Sequence, residues 1–412
     1  MSTDSATLDG AAAAPAAIPA GAILCLSLAA FGSGVSLRVN DALLPRLAEQ
    51  FAVPLGTAAQ VTSFFAIAYG LSQLVFGPLG DRFSKYRVIA WACAACAVTA
   101  TLCGAAPGFD TLRLARVLAG ATAAAIIPLA MAWIGDVVAY DKRQPVLARF
   151  LIGQILGLSA GVWLGGFAAD HLSWRLPYFA VGALFVGVSI ALFTLNRRLP
   201  EHARRMQRAE GSALRRIADD FGHVLAKPWA RRVLATVFLE GAFLYGPFAF
   251  IASHLHHSFG VSLSLAGSLV MLFGFGGVVF ATSSARLVAR LGEVGLVRWG
   301  GVLLTAALLG VALAPAWWWA IPSCLVAGLG FYMLHNTLQI NATQMAPERR
   351  GAAVSAFASC FFLGQSAGVA LAGWLADKAG TRWMICAGAL GVFIVAMNFG
   401  RLRSASTLAQ HR

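Results

Sequence analysis

The stretch LGLSAGVWLGGFAAD, from Leu156 to Asp170, returns as LGQSAGVALAGWLAD, from Leu363 to Asp377, with ten identities at a constant offset of 207. The same offset lays Asp141, Lys142 and Arg143 onto Glu348, Arg349 and Arg350, and Phe150 onto Phe357, so the register holds through a loop as well as a helix. The chain is therefore two copies of one unit of about two hundred residues, joined in parallel order.

Composition says what each unit is made of. Apolar residues make up 59% of the 412, only 12% are charged, and the mean hydropathy is +0.74, far outside the balance of a water-soluble domain. The apolar runs are near-continuous stretches of about twenty residues rather than alternating segments of about ten, and lipid offers no partner to free backbone groups. The fold class that follows is all-α and polytopic, and a β-barrel is excluded. Twelve spans are expected, near 20–41, 57–79, 88–106, 111–134, 147–169, 176–195, 231–253, 263–285, 297–314, 318–341, 352–374 and 383–400. A parallel repeat with six spans per copy is the plan of a secondary transporter, whose site lies where the halves meet.

The net charge of +14 invites a nucleic-acid reading, but its placement opposes one. Twelve spans put both termini on one side, and that side carries about 24 of the 31 Lys and Arg residues. Cationic loops stay in the cytoplasm, so the charge records insertion and contact with membrane lipids, and no nucleic-acid partner is expected. The expected organisation is a disordered cytoplasmic tail over 1–19, six-helix bundles over 20–195 and 231–401, a basic cytoplasmic linker over 196–230 and a tail over 402–412. The linker carries Arg197, Arg198, Arg204, Arg205, Arg208, Arg215 and Arg216 and reads as an amphipathic helix at the membrane surface. All seven cysteines fall inside apolar runs, where a thiol behaves as a small hydrophobe, and Cys93 with Cys96 has no second ligand pair nearby. No disulfide, metal or cofactor is expected. Trp174, Trp317, Trp318, Trp319, Trp374 and Trp383 fall at outer span ends and read as interfacial anchors.

Charged residues near span ends carry the mechanism. After span two comes Gly77, Pro78, Leu79, Gly80, Asp81, Arg82, Phe83, Ser84, Lys85, Tyr86, Arg87. Small residues let two helices cross closely, and a carboxylate at a helix end with cations beside it makes a latch that can break. Span four contains Arg116 with Gly120 four residues on; an arginine in an apolar span is costly unless it is paired or faces a wet cavity. The repeat supplies a control, because its equivalent is Ser323. Two readings stay open for Arg116, proton coupling and a structural tie to carbonyls or a carboxylate. Span five places Gly157, Gly161 and Gly165 on one face, with Gly166 adjoining, and its copy keeps Gly364, Gly368 and Gly373. Glycines four apart permit backbone contact with a neighbouring helix.

These motifs resemble the major facilitator superfamily. Its signature GxLaDrxGrkxxl matches Gly77, Leu79, Asp81, Arg82, Lys85 and Arg87, with Ser84 in place of the usual glycine; a second, RxxqGxxaa, matches at Arg116 and Gly120. The export-associated gxxxGPxxGG resembles the span-five glycines, with Val162 where that family has proline. The resemblance implies a transporter near the drug/proton antiporter and sugar-efflux branch of bacterial inner membranes, acting as a monomer. It further implies that Arg116 serves proton coupling and that spans one, four and seven line the cavity.

Two carboxylates add to this. Asp41 closes span one about one turn from Arg38, which reads either as an internal salt bridge or as a proton acceptor whose neutralisation frees a gate. Glu240 lies about nine residues into span seven with no base nearer in sequence than Arg232, so protonation or a hydrogen bond across a helix interface is expected. His335 and Asn336, with Gln339, form a polar patch in span ten that would contact substrate or hydrogen-bond span eleven, and Arg38, Tyr69, Tyr245 and Tyr332 are candidate cavity residues. His254, His256 and His257 read as a solvated turn after span seven.

The sequence thus points to proton-coupled export of a small amphipathic substrate, with Asp41, Arg116 and Glu240 handling protons. Import or uniport of a metabolite on the same fold is the alternative, and a non-transporting membrane receptor is the alternative of another class. Without a GxxxxGK[ST] stretch or an accessible nucleophile–base pair, neither ATP-driven nor enzymatic action is expected.

Overall fold

The computed structural model describes residues 19–204 and 213–410, with backbone alone at 20, 77–82, 140, 141, 144, 202, 213–217 and 406–410. The tail expected over 1–19 lies, but for Pro19, outside the described residues, as do positions 205–212 of the basic linker. Span one is the helix Ala20–Arg38, span two Gln60–Arg82, span three Lys85–Ala105, span four Phe109–Ala123 with Ile126–Val137, span five Tyr140–His171 and span six Leu176–Arg198. Span seven begins as Pro228–Glu240 and passes through a π-helical turn, Gly241–Tyr245, into Gly246–Phe248 and Ile251–Phe259. Span ten is Ala320–Gln344, span eleven Arg350–Ala379 and span twelve Thr381–Gln410.

Eleven helical segments among the described residues are long and apolar enough to cross a bilayer. The longest, Leu263–Ala312, has 50 residues and breaks at Gly292, where φ is 62° and ψ −179°, so its two arms are spans eight and nine. Only glycine takes that backbone without a steric penalty. The loop expected over 286–296 shrinks to this break, because five of the six residues from Arg286 to Leu291 are good helix formers, Val288 being the exception.

The repeat governs the packing. Gly153, Gly157, Gly161 and Gly165 of span five lie so close to span one that an added Cβ would strike the backbone at Ser27, Phe31, Val35 and Val39, one step of four after another. In the second half, Gly364 and Gly368 of span eleven press in the same way on Phe238 and Ala242 of span seven, which stand 207 residues beyond Phe31 and Val35. The offset read from one segment thus holds for its packing partner too. The halves meet along two seams, span five against span eight and span two against span eleven.

Two readings of the far end, opposite the termini, need correction. His254, His256 and His257 are helical within Ile251–Phe259, because the chain winds again after Pro247 and stops only at Gly260, in left-handed backbone at φ 66°. His254 is buried, and its Nδ1 lies 2.9 Å from Thr381 Oγ1. Trp174 is buried rather than anchored in the interface, since the short helix Leu44–Phe51 covers it and Phe51 meets its ring edge-on at 5.4 Å. At the terminus-bearing end, the linker helix Ala213–Ala226 is tied to the turn before span eleven. Asp220 pairs with Arg349 at 2.7 Å, and His223 and Lys227 both hold Glu348.

Candidate functional site

The site grows from the end of span one. The last carbonyls of a helix have no intrahelical donor, and cations are favoured at that pole. Arg38, in the last turn, donates to Asp41 Oδ2 at 3.3 Å, with both residues buried. Its guanidinium also lies 3.9 Å from the centroid of the Tyr245 ring, across the seam in span seven. Tyr245 stands 207 residues beyond Arg38, so repeat-equivalent positions meet face to face on the pseudo-twofold axis between the halves. The π-helical turn Gly241–Tyr245 adds a residue to one turn and so re-aims Tyr245 relative to a straight helix.

Aromatic rings surround this contact. Tyr245 meets Phe248, Phe273, Phe331 and Phe361 edge-on, with centroids between 5.4 and 6.3 Å. A small cavity opens between Arg38, Ser159, Tyr245, Phe273 and Tyr332 and is walled by both halves.

A second ionisable pair lies one helical turn before Tyr245. Glu240, fully buried, is bonded through Oε2 to His335 Nδ1 at 2.9 Å. The imidazole stacks on Phe331 at 4.8 Å and touches Phe361 at 4.7 Å, which fixes its plane. Glu240 Oε1 and Asp41 Oδ1 have no hydrogen-bond partner among the described residues. Each carboxylate therefore has one oxygen bonded and one buried oxygen left over. Breaking such a buried pair costs about 3–5 kcal/mol, whereas the intact pair adds little, so the groups are expensive to keep for stability alone.

Arg116 stands apart from the aromatic cavity. It donates through Nε to the Val61 carbonyl at 3.1 Å and through Nη1 to the Ser36 carbonyl at 3.0 Å, and it lies over the Phe65 ring at 4.1 Å. Ser36 lies in the last turn of span one, so Arg116 serves one of its orphan carbonyls and ties span four to spans one and two. With the Asn40 amide turned so that its oxygen faces Arg116 at 3.1 Å, Asn40 bridges Arg116 to Tyr178.

The remaining candidates are spread through the bundle. Tyr332 lines the cavity, Tyr69 packs on Phe362 across the other seam at 4.4 Å, and Asn336 sits half-buried beside His335. Gly157, Gly161 and Gly165 form the span-one contact, and Gly166 touches span eight instead. The stretch expected to act as a latch after span two lies at the terminus-bearing end: Lys85 donates to Asp136 at 2.7 Å, Arg87 is exposed, and the backbone at 77–82 is helical while the side chains of Asp81 and Arg82 lie outside the described residues. The reading of Gly77 and Gly80 as a close helix crossing falls on the same segment.

Sequence reasoning did not find the Glu240–His335 bond, the self-meeting of Arg38 with Tyr245, or Gln365. Gln365 is fully buried in span eleven, and neither end of its amide has a partner among the described residues. A signal existed for it: the first copy of the repeat has Leu158 at that place, so a polar group entered the second copy alone.

Twelve helical spans among the described residues, in two register-matched repeats with a buried ion pair and aromatic rings where the repeats face each other, define a membrane carrier for small molecules. The model of the Major Facilitator Superfamily matches residues 26–369, and the chain belongs to that superfamily. It is 25% identical over 355 residues to the MFS-type transporter YceJ of Bacillus subtilis (strain 168), covering 84% of this chain and 86% of that protein. It is 21% identical over 369 residues to a probable sugar efflux transporter of Pasteurella multocida (strain Pm70), covering 89% and 88%. Its fold is similar to the crystal structure of a bacterial homolog of the human lysosomal transporter Spinster in an inward-facing, unoccupied conformation, with TM-score 0.75, 19% identity and coverage of 94% and 97%.

Proposed function

We propose that this transporter exports a small amphipathic compound from the bacterial cell across the inner membrane in exchange for protons, by rocking its two halves about the seam. The observation that carries the reading is the pair of buried carboxylates, Asp41 with Arg38 where the halves meet and Glu240 with His335 within the second half, linked by the aromatic rings Phe331 and Phe361 that touch both His335 and Tyr245. A buried carboxylate that keeps one partner and leaves its second oxygen unpaired is poised to gain and lose a proton as the seam opens. Aromatic walls accept the apolar body of a substrate, while Arg38, Ser159 and Tyr332 supply polar contacts. Efflux is supported by the Pasteurella relative's name, and the cytoplasmic placement of both termini by the distribution of Lys and Arg.

A thermal-shift screen of the purified protein against drugs, sugars and metabolites at two pH values names the compound class. Proteoliposomes loaded with the hit then test the direction. Release driven by an imposed proton gradient, and lost in Asp41→Asn or Glu240→Gln while counterflow persists, is the expected outcome. Release that ignores the imposed gradient in the unaltered protein overturns proton coupling.

A further inference from the structure

The repeated segment ends in an aspartate in both copies, and neither aspartate belongs to the aromatic cavity or to either of the buried ion pairs. Asp170 lies in the last turns of span five and Asp377 in the last turns of span eleven, each at the negative pole of its own helix, where a carboxylate is unfavourable. Each reaches across a seam to the start of a helix in the other half. Asp170 accepts from Leu263 N through Oδ1 at 3.2 Å and from Ser264 N through Oδ2 at 2.6 Å, at the start of span eight. Asp377 accepts through Oδ1 from Gly56 N at 3.0 Å, in the helical turn leading into span two. The donors are themselves repeat-equivalent, because Leu263 stands 207 residues beyond Gly56.

The donors would otherwise be left over. Of the first amides of span eight, Leu265 N is served by Ser262 Oγ at 3.1 Å, while Leu263 and Ser264 have the carboxylate of the opposite half. The glycines four residues earlier, Gly166 and Gly373, bring the backbones near enough: a Cβ on Gly373 would lie 2.8 Å from Gly56 Cα, and one on Gly166 would strike the Leu263 carbonyl. Both contacts lie at the end of the bundle remote from the termini, one on each seam.

We infer that Asp170 and Asp377 are the two halves of a symmetric gate latch, positioning residues that hold the far end shut while the transporter is loaded or emptied from the other end. This rests on the rocking motion proposed above but on neither its coupling ion nor its substrate. Because the halves move as units, one opening motion must break both latches. Each carboxylate at a helix N-terminus is worth roughly a fivefold bias toward the closed end at such partly exposed positions.

Hydrogen exchange on the whole protein in lipid nanodiscs tests this without substrate or gradient, so its outcome stands apart from that of the antiport experiment. In the unaltered protein, peptides containing Gly56 and Leu263–Ser264 should report one common opening equilibrium. Asp170→Asn should speed exchange about fivefold at Leu263–Ser264 and also at Gly56 on the other seam; Asp377→Asn should do the same in reverse, and the double variant about 25-fold at both, if the terms add. Asp110→Asn, a charge loss at the same end in a residue bonded to Arg113 of its own half, should change neither. Acceleration confined to each variant's own peptide, or none, overturns the latch. Should one aspartate variant fail to fold, the other and the unaltered protein still give the coupled readout.

Discussion

Replacing Gly161 by alanine tests the interface that aligns span five with span one. An ideal Cβ at Gly161 lies 2.9 Å from both Cα and the carbonyl oxygen of Val35, where unstrained contacts between heavy atoms lie near 3.5–4.0 Å. The obstacle is backbone held in a helix, so the helices must part by most of an ångström along a contact that continues at Gly153, Gly157 and Gly165. Overpacking of this kind costs about 1–3 kcal/mol, against which alanine's better helix propensity returns up to about 1 kcal/mol. The expected net loss is about 1–2 kcal/mol. Gly187, lipid-facing in span six with nothing within 4 Å of its Cβ position, is the control: Gly187→Ala should be neutral or stabilising by up to about 1 kcal/mol. Gly368→Ala, the repeat equivalent of Gly161, should lose at least as much, since it faces the Ala242 backbone more closely. Reversible unfolding in mixed micelles measures all three. If Gly161→Ala is as stable as Gly187→Ala, helix contact through the glycine stripe is not what sets this packing.

Three further outcomes follow from the ionisable groups. Arg38→Met should destabilise by about 3–5 kcal/mol, because Asp41 loses its partner in a buried site, and adding Asp41→Leu should recover most of that loss in a thermal melt; no recovery would mean that Arg38 acts through its contact with Tyr245 instead. Arg116→Ala strands the Ser36 carbonyl and should cost about 3 kcal/mol, and Arg116→Lys should restore only part of it, because an ammonium cannot span both carbonyls; full rescue would contradict the two-carbonyl tie. His335→Gln should slow proton-driven exchange at least tenfold while substrate counterflow continues, and equal loss of both would make His335 a substrate contact rather than the proton partner of Glu240.

Much of this architecture is legible in the amino-acid sequence. The offset of 207 located the two bundles, and the four-residue glycine spacing marked the faces on which spans five and eleven pack, because the first is read by comparing the chain with itself and the second is a property of one helix read along its own axis. Basic residues near span ends set the expected orientation for a similar reason, since the cost of moving a charge through lipid depends on its place in the chain rather than on its neighbours. His335 and Glu240 lie 95 residues apart, and nothing in either helix's periodicity says that they share a face. The same holds for Asp170 and Leu263, whose bond depends on where one helix ends relative to the start of another.

What the amino-acid sequence alone determined, then, is the number, order and duplication of the helices and the faces that must be small or apolar, since hydropathy and periodicity are local. Tertiary structure decided which charges meet, through the rotation of each helix about its axis and the π-helical turn in span seven. It placed Arg38 on Tyr245, joined Glu240 to His335 and carried the terminal aspartates across the seams, because hydrogen bonds and ion pairs act over about 3 Å and depend on where helices stand in three dimensions.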